Sequence, residues 1–254
     1  MLTQTLWWLA NAAEALLLVR SIQGKFFAKY PTFYCYVSTV LVVSLLRFGV
    51  FTFDSEFYRT FYWYTEFLAA AVGYAVIVEI YWQTLRNYPG AARVVRILLL
   101  SVFAAVVLKV VTAQLGNSTW SPSTASAQFE RNMRAVQAVL LLGIIIPLAY
   151  YAIPVGRNLR GIILGYGFYV SASVLSLAFG SLPEYGPKPG WRLVQPVAYV
   201  FALLIWCIAL WSYHPNPEPE SESTIDRDYR LIAENTKRIV SRAISFLRMG
   251  SGQP

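Results

Sequence analysis

Residues 57–85 read FYRTFYWYTEFLAAAVGYAVIVEIYWQTL. An α-helix rises about 1.5 Å per residue, so about 20 mostly apolar residues cross the hydrocarbon of a bilayer. This stretch is long enough, and it carries Glu66 well inside its apolar run. Trp63, Glu66, Ala70, Gly73 and Ile77 recur three or four apart and share one helical face. The small members of that face let a neighbouring helix approach closely. As the third of seven such stretches, it is expected to be the central helix of a membrane bundle.

Composition agrees. Of 254 residues, 57% are hydrophobic and 13% charged, against about 25% charged in soluble domains. With a mean hydropathy of +0.48, the pattern points to lipid as the solvent. Aromatics reach 16%, with 17 Tyr and 8 Trp, residues that collect at bilayer interfaces. The net charge of +8 would suggest nucleic acid in a soluble chain; here loop asymmetry explains it, and no nucleic-acid partner is expected. Cys35 and Cys207 both lie in apolar runs, too few and too buried for a disulfide framework. Residues 1–19 hold no Lys or Arg and include Glu14, so the first stretch reads as a retained helix and not as a cleaved leader.

Seven segments qualify as spans: 2–22, 31–53, 57–85, 92–115, 131–153, 159–180 and 191–213. Runs such as LVVSLL and LLLGIII are continuous rather than alternating, which favours helices over a β-barrel. Positive charge gathers in alternate turns: Arg20, Lys25 and Lys29, then Arg86, Arg93 and Arg96, then Arg157 and Arg160. The intervening loops are poorer in Lys and Arg. The positive-inside rule therefore sets the N-terminus outside and the C-terminus in the cytoplasm, in a plasma (bacterial inner) membrane. The fold class is all-α, a seven-helix transmembrane domain over 1–213.

Local signals add detail. Pro31 opens the second helix, where its missing N–H is harmless. Pro147 is expected to kink the fifth unless neighbours restore the lost bond. Gly161 and Gly165 form a GxxxG spacing, suited to close packing within the bundle or to a homodimer face. Residues 214–223 form a Pro- and acid-rich linker. Over 224–249, apolar positions recur at helical spacing among Arg227, Arg230, Lys237, Arg238 and Arg242. Such a basic amphipathic cytoplasmic helix suits the anionic inner leaflet, or a cytoplasmic protein partner.

Ionisable groups at membrane depth are site hypotheses. Counted from the helix ends, Arg47, Glu66, Lys109, Arg134 and Gln137 fall at one level of the outer half, with Glu130, Arg131 and Gln195 close by. Two readings compete. Either Arg47 and Arg134 hold an anionic or polar ligand in an outer cavity while Glu66 balances them, or Glu66 pairs with Arg47 or Lys109 and Arg134 snorkels to headgroups. Asn11 and Glu14 lie deeper, in the first helix. An isolated carboxylate there is costly, so Glu14 is expected to be protonated or hydrogen-bonded to Tyr, Ser or Asn. Glu79 is expected near the inner interface, within reach of Arg86.

Absences narrow the chemistry. His214 is the sole histidine, so paired-histidine haem ligation and a histidine-rich metal site are excluded, and no metal or cofactor is expected. HExxH and GxxxxGK[ST] do not occur. The last helix has no lysine for a retinal Schiff base, and helix number shared with other seven-helix proteins does not carry function.

KYPTFYCYV after the first helix, YWYTEF in the third, FERNMRAVQ at the fifth and LRGIILGYGFY at the sixth together resemble a family of small bacterial seven-helix membrane proteins with no established activity. The resemblance covers residues 1–213. It implies the topology and no catalytic residue. The first functional expectation is a non-enzymatic receptor or sensor module for a polar or anionic ligand. The alternatives are a small-solute or ion transporter or channel, and an accessory subunit or lipid-acting membrane enzyme.

Overall fold

The computed structural model describes residues 2–53, 55–86, 89–115, 122–150, 155–180 and 191–214. Among them are seven α-helices and no strand: α1 Leu2–Gln23, α2 Pro31–Phe53, α3 Ser55–Thr84, α4 Pro89–Leu115, α5 Pro122–Tyr150, α6 Arg157–Gly180 and α7 Trp191–Ala209. A single 3-10 turn, Phe26–Ala28, joins α1 to α2. The linker beyond His214 and the basic segment 224–249, with Arg227, Arg230, Lys237, Arg238 and Arg242, lie outside the described residues.

Proline opens α2, α4 and α5, at the position where a missing N–H costs nothing. α5 is the one large boundary correction, since it starts at Pro122 and not at residue 131. The added turns are polar (STASAQ), so hydropathy alone assigns them to a loop. They contain no breaker after Pro122, and Ala and Gln are good helix formers. Glu130 therefore belongs to a helix rather than a loop. α5 continues through Pro147 to Tyr150. α7 carries an internal proline as well, Pro196.

α3 packs against α2, α4, α5 and α6, the central position expected from its sequence. α1, α2, α3, α5, α6 and α7 close a ring, each touching the next and α7 returning to α1; α4 lies against α3 and α5. Side-chain bonds fix an alternating up-and-down order. The start of α1 meets the end of α2 through Trp7 Nε1 donating to Ser44 Oγ at 2.7 Å. The start of α6 meets the end of α7 through Asn158 Nδ2 donating to Ala209 O at 2.9 Å.

Close approach occurs where glycine allows it. A Cβ on Gly161 would overlap Ala209 Cβ, and one on Gly165 would overlap Trp206 Nε1. At Gly161 and Gly165 the GxxxG face thus packs against α7 of the same chain. Gly73 likewise admits the Tyr166 hydroxyl, which donates to Gly73 O at 2.7 Å.

The bundle turns many large apolar side chains outward and encloses several polar and charged ones. Trp8, Leu16, Phe48, Leu98, Leu100, Ile146, Leu164, Phe201 and Ile208 are exposed, while Asn11, Glu14, Glu79, Arg134, Gln137, Asn158 and Ser173 are buried. A water-soluble fold does the reverse with its charged groups. Three helices, over Pro31–Phe53, Thr60–Thr84 and Arg157–Ala178, are long and apolar enough to cross a membrane, and Leu193–Ala209 is a shorter apolar helix. Apolar helices of this kind make the chain a membrane protein.

Candidate functional site

Arg47, near the end of α2, is held on all sides by α3. Its Nε donates to Thr65 Oγ1 at 2.8 Å, and its Nη2 donates to Tyr62 O at 3.1 Å and to Glu66 Oε2 at 3.0 Å. The guanidinium also lies over the Tyr62 ring, 4.3 Å from its centroid. Arg47 and Glu66 form the ion pair that the sequence offered as one alternative, with side chains 20% and 13% exposed. With most of its donors engaged, Arg47 braces α2 to α3. Breaking a sequestered pair strands the remaining charge, and partial exposure softens the cost. Arg47→Ala is therefore expected to lose about 2 kcal/mol, read as a lower unfolding midpoint in detergent, and Glu66→Gln in the same chain is expected to restore part of it.

Arg134 differs. It is 2% exposed, so it does not snorkel to headgroups. Its Nη2 donates to the Tyr169 hydroxyl at 3.2 Å, and its guanidinium lies 4.9 Å from that ring's centroid. Glu130, one turn earlier, approaches Nε only to 3.9 Å, beyond hydrogen-bond range. Nε and Nη1 have no hydrogen-bond partner among the described residues. Tyr36 and Tyr166 also lie in its electrostatic reach. A buried donor left unpaired costs about 1–3 kcal/mol.

The charge count at this level also changes. Glu130 enters α5, and its carboxyl faces that of Glu66. Lys109 stands on the exposed side of α4 and makes no ion pair with Glu66 among the described residues. The surplus of cations expected from sequence becomes two arginines against two glutamates. Gln137 is fully buried, its Nε2 donating to Ala70 O at 3.3 Å and its Oε1 unpartnered.

Glu14 lies deeper and is 1% exposed. Its Oε1 accepts from the Tyr199 hydroxyl at 2.6 Å, and its Oε2 has no partner. One turn earlier, Asn11 Nδ2 donates to Trp7 O at 2.8 Å and Asn11 Oδ1 is unpartnered. The Arg134 and Glu14 levels communicate through tyrosines. The Tyr169 and Tyr199 rings lie 5.1 Å apart, edge to face, and Tyr36 interacts electrostatically with both Arg134 and Glu14. Composition assigned tyrosine to the bilayer interfaces; several instead line the middle of the bundle.

The opposite end of the bundle is a structural joint. Glu79 is buried and accepts from Thr32 N at 3.2 Å and Phe33 N at 2.7 Å. It caps α2 across the bundle, and Arg86, its expected partner, is exposed. Asn158 donates to Ala209 O and Ser212 O and accepts from His214 N, which ties α6 to the end of α7. Cys35 is exposed and Cys207 half-buried, both as free thiols, so the expectation of two buried cysteines fails for Cys35. No grouping of metal-ligating side chains occurs among the described residues.

Counting residues from helix ends gave each charge its height but not its direction. The signal it lacked was azimuth: position 134 shares a face with Phe129, Met133, Gln137, Leu140 and Leu141, all buried on α5, whereas position 109 lies among exposed Leu108, Val111 and Thr112 on α4. No protein-family model, curated protein or solved structure matches this chain.

Proposed function

We propose that the chain crosses a bacterial inner membrane seven times with its N-terminus outside, and that it is a non-enzymatic receptor-like module. It binds a small polar or anionic ligand at the interior layer around Arg134 and passes a helix shift to a cytoplasmic partner through its basic tail. Three helices long and apolar enough to cross a membrane, a shorter apolar α7 and the large apolar side chains exposed on the described helices support the crossings. The resemblance to small seven-helix bacterial proteins fits the same topology. Arginine-rich alternate turns support the orientation.

One observation carries the ligand reading: a guanidinium at 2% exposure with two donors that no group among the described residues accepts. A permanently charged group at such depth is retained against a high desolvation cost. Arg47 is spent on α3, so Arg134 is the arginine with donors to offer. The test is thermal unfolding of the purified protein in detergent against a panel of small carboxylates, phosphates and amino acids. A ligand of the site raises the midpoint by mass action in wild type and not in Arg134→Gln, with Arg134→Lys between. A panel without effect on wild type contradicts the reading.

A transporter is the second reading, favoured by the polar series Arg134, Tyr169, Tyr199 and Glu14 that joins two depths of the bundle. Solute flux into proteoliposomes that Glu14→Gln abolishes would select it over a sensor.

A further inference from the structure

Apart from the Thr84 hydroxyl at the end of α3, the buried polar atoms without hydrogen-bond partners among the described residues fall into two kinds. Donors are Arg134 Nε and Nη1; acceptors are Glu14 Oε2, Asn11 Oδ1 and Gln137 Oε1. All five belong to side chains more than nine-tenths buried. A series of tyrosines links Arg134 to Glu14: Tyr169 receives a bond from Arg134, its ring packs on Tyr199, and Tyr199 donates to Glu14. Tyr36 lies within electrostatic reach of both charges. The interior thus offers a cation at one station, a carboxylate at the next, and tyrosine faces between them.

Charge balance decides what fits. Arg47 and Arg134 are already matched by Glu66 and Glu130, and Glu14 adds a further acid. A simple anion would bring negative charge into a layer that has no excess of positive charge, at a desolvation cost. A simple amine would satisfy Glu14 but leave the Arg134 donors idle. We infer that the ligand is amphoteric, an amino-acid-like molecule whose carboxylate accepts from Arg134 and whose ammonium donates to Glu14 and the Asn11 carbonyl, with its carbon chain against the tyrosine rings. Such a molecule adds no net charge and meets both kinds of orphaned atom. This inference rests on the Arg134 site proposed above and adds Glu14 to it.

The experiment uses the full-length protein in detergent and a ladder of ω-amino acids from glycine to 6-aminohexanoate, with the corresponding carboxylates and n-alkylamines as single-ended controls. Affinities are read by isothermal titration. The expected result is a preferred chain length that binds at least tenfold more tightly than either control of that length. Glu14→Gln is expected to weaken that amino acid at least tenfold while leaving the carboxylate unchanged. The amide oxygen of this variant still accepts from Tyr199, and circular dichroism confirms its fold. The comparison of ladder with controls needs only wild-type protein, so it stands even if the variant misfolds. Carboxylates binding as tightly as amino acids would overturn the amphoteric ligand and leave the Arg134 site intact. Absence of binding by the whole ladder would overturn the inference; absence of any response to the wider panel of anions would remove the Arg134 site with it.

Discussion

Gly161→Leu is expected to abolish the native bundle, with a loss exceeding about 3 kcal/mol and a collapse in the yield of monodisperse protein. Even a methyl group at this position would overlap Ala209 Cβ, with Ala209 Cα only 3.5 Å away. Backbone and a rigid methyl cannot swing aside, so α6 and α7 must part. Parting them breaks the Asn158 bonds to Ala209 O and Ser212 O and the Trp206 indole bond to Ile162 O at 3.4 Å. In a membrane helix pair, close backbone contact between small residues is itself the main attraction. Gly167 supplies the control on the same helix. Nothing lies within 4 Å of its Cβ position, so Gly167→Ala is expected to be neutral or to stabilise by about 0.5–1 kcal/mol through helix propensity. If the glycines instead formed a dimer face, Gly161→Leu would yield a stable monomer, and sedimentation would separate the two outcomes.

Glu79→Ala is expected to cost about 3 kcal/mol. α2 begins with Pro31, which has no N–H, so Thr32 and Phe33 carry its first free donors, and both are given to Glu79. The positive end of the helix dipole adds to the attraction for a carboxylate. Truncation leaves two donors unpaired, the one on Phe33 fully buried and the one on Thr32 half-buried. Glu79→Gln retains one acceptor oxygen and is expected to lose about half as much. Thermal unfolding in detergent gives the energies. Amide exchange at Thr32 and Phe33 gives the mechanism, because only loss of the cap speeds exchange there ahead of the rest of α2. Unchanged stability in Glu79→Ala would show that the contacts are incidental.

The helices were legible because their signals are local. Length of apolar run, a proline at the first helical position and the small-residue face of α3 each lie within one segment. The α5 boundary was missed for a local reason too: a polar but helix-competent stretch reads as loop when hydropathy is the criterion. That boundary left Glu130 in a loop, and together with Lys109, which is exposed on α4, it changed the balance of charges at this level. The roles of the charges were less legible because they depend on neighbours far along the chain. Glu79 reaches residues 46 and 47 positions away, and Tyr199 reaches Glu14 across 185. Depth could be counted for Arg47, Lys109 and Arg134 alike, yet rotation about each helix axis decides that the first braces α3, the second is exposed and the third is buried among tyrosines. Interior tyrosines escaped notice for a related reason: the same amphipathic ring suits a bilayer interface and a bundle lumen.

The account depends on buried charges enclosed by a chain that crosses the lipid an odd number of times. Site-directed labelling tests this most directly. In a background with Cys35 and Cys207 replaced by serine, the Thr3→Cys and His214→Cys variants are treated with a membrane-impermeant maleimide in intact cells and after permeabilisation. Thr3 and His214 are both exposed, at opposite ends of the bundle. The Thr3→Cys variant should be labelled in intact cells and the His214→Cys variant only after permeabilisation. Labelling of both from the same side would contradict the seven crossings and the enclosed site built on them.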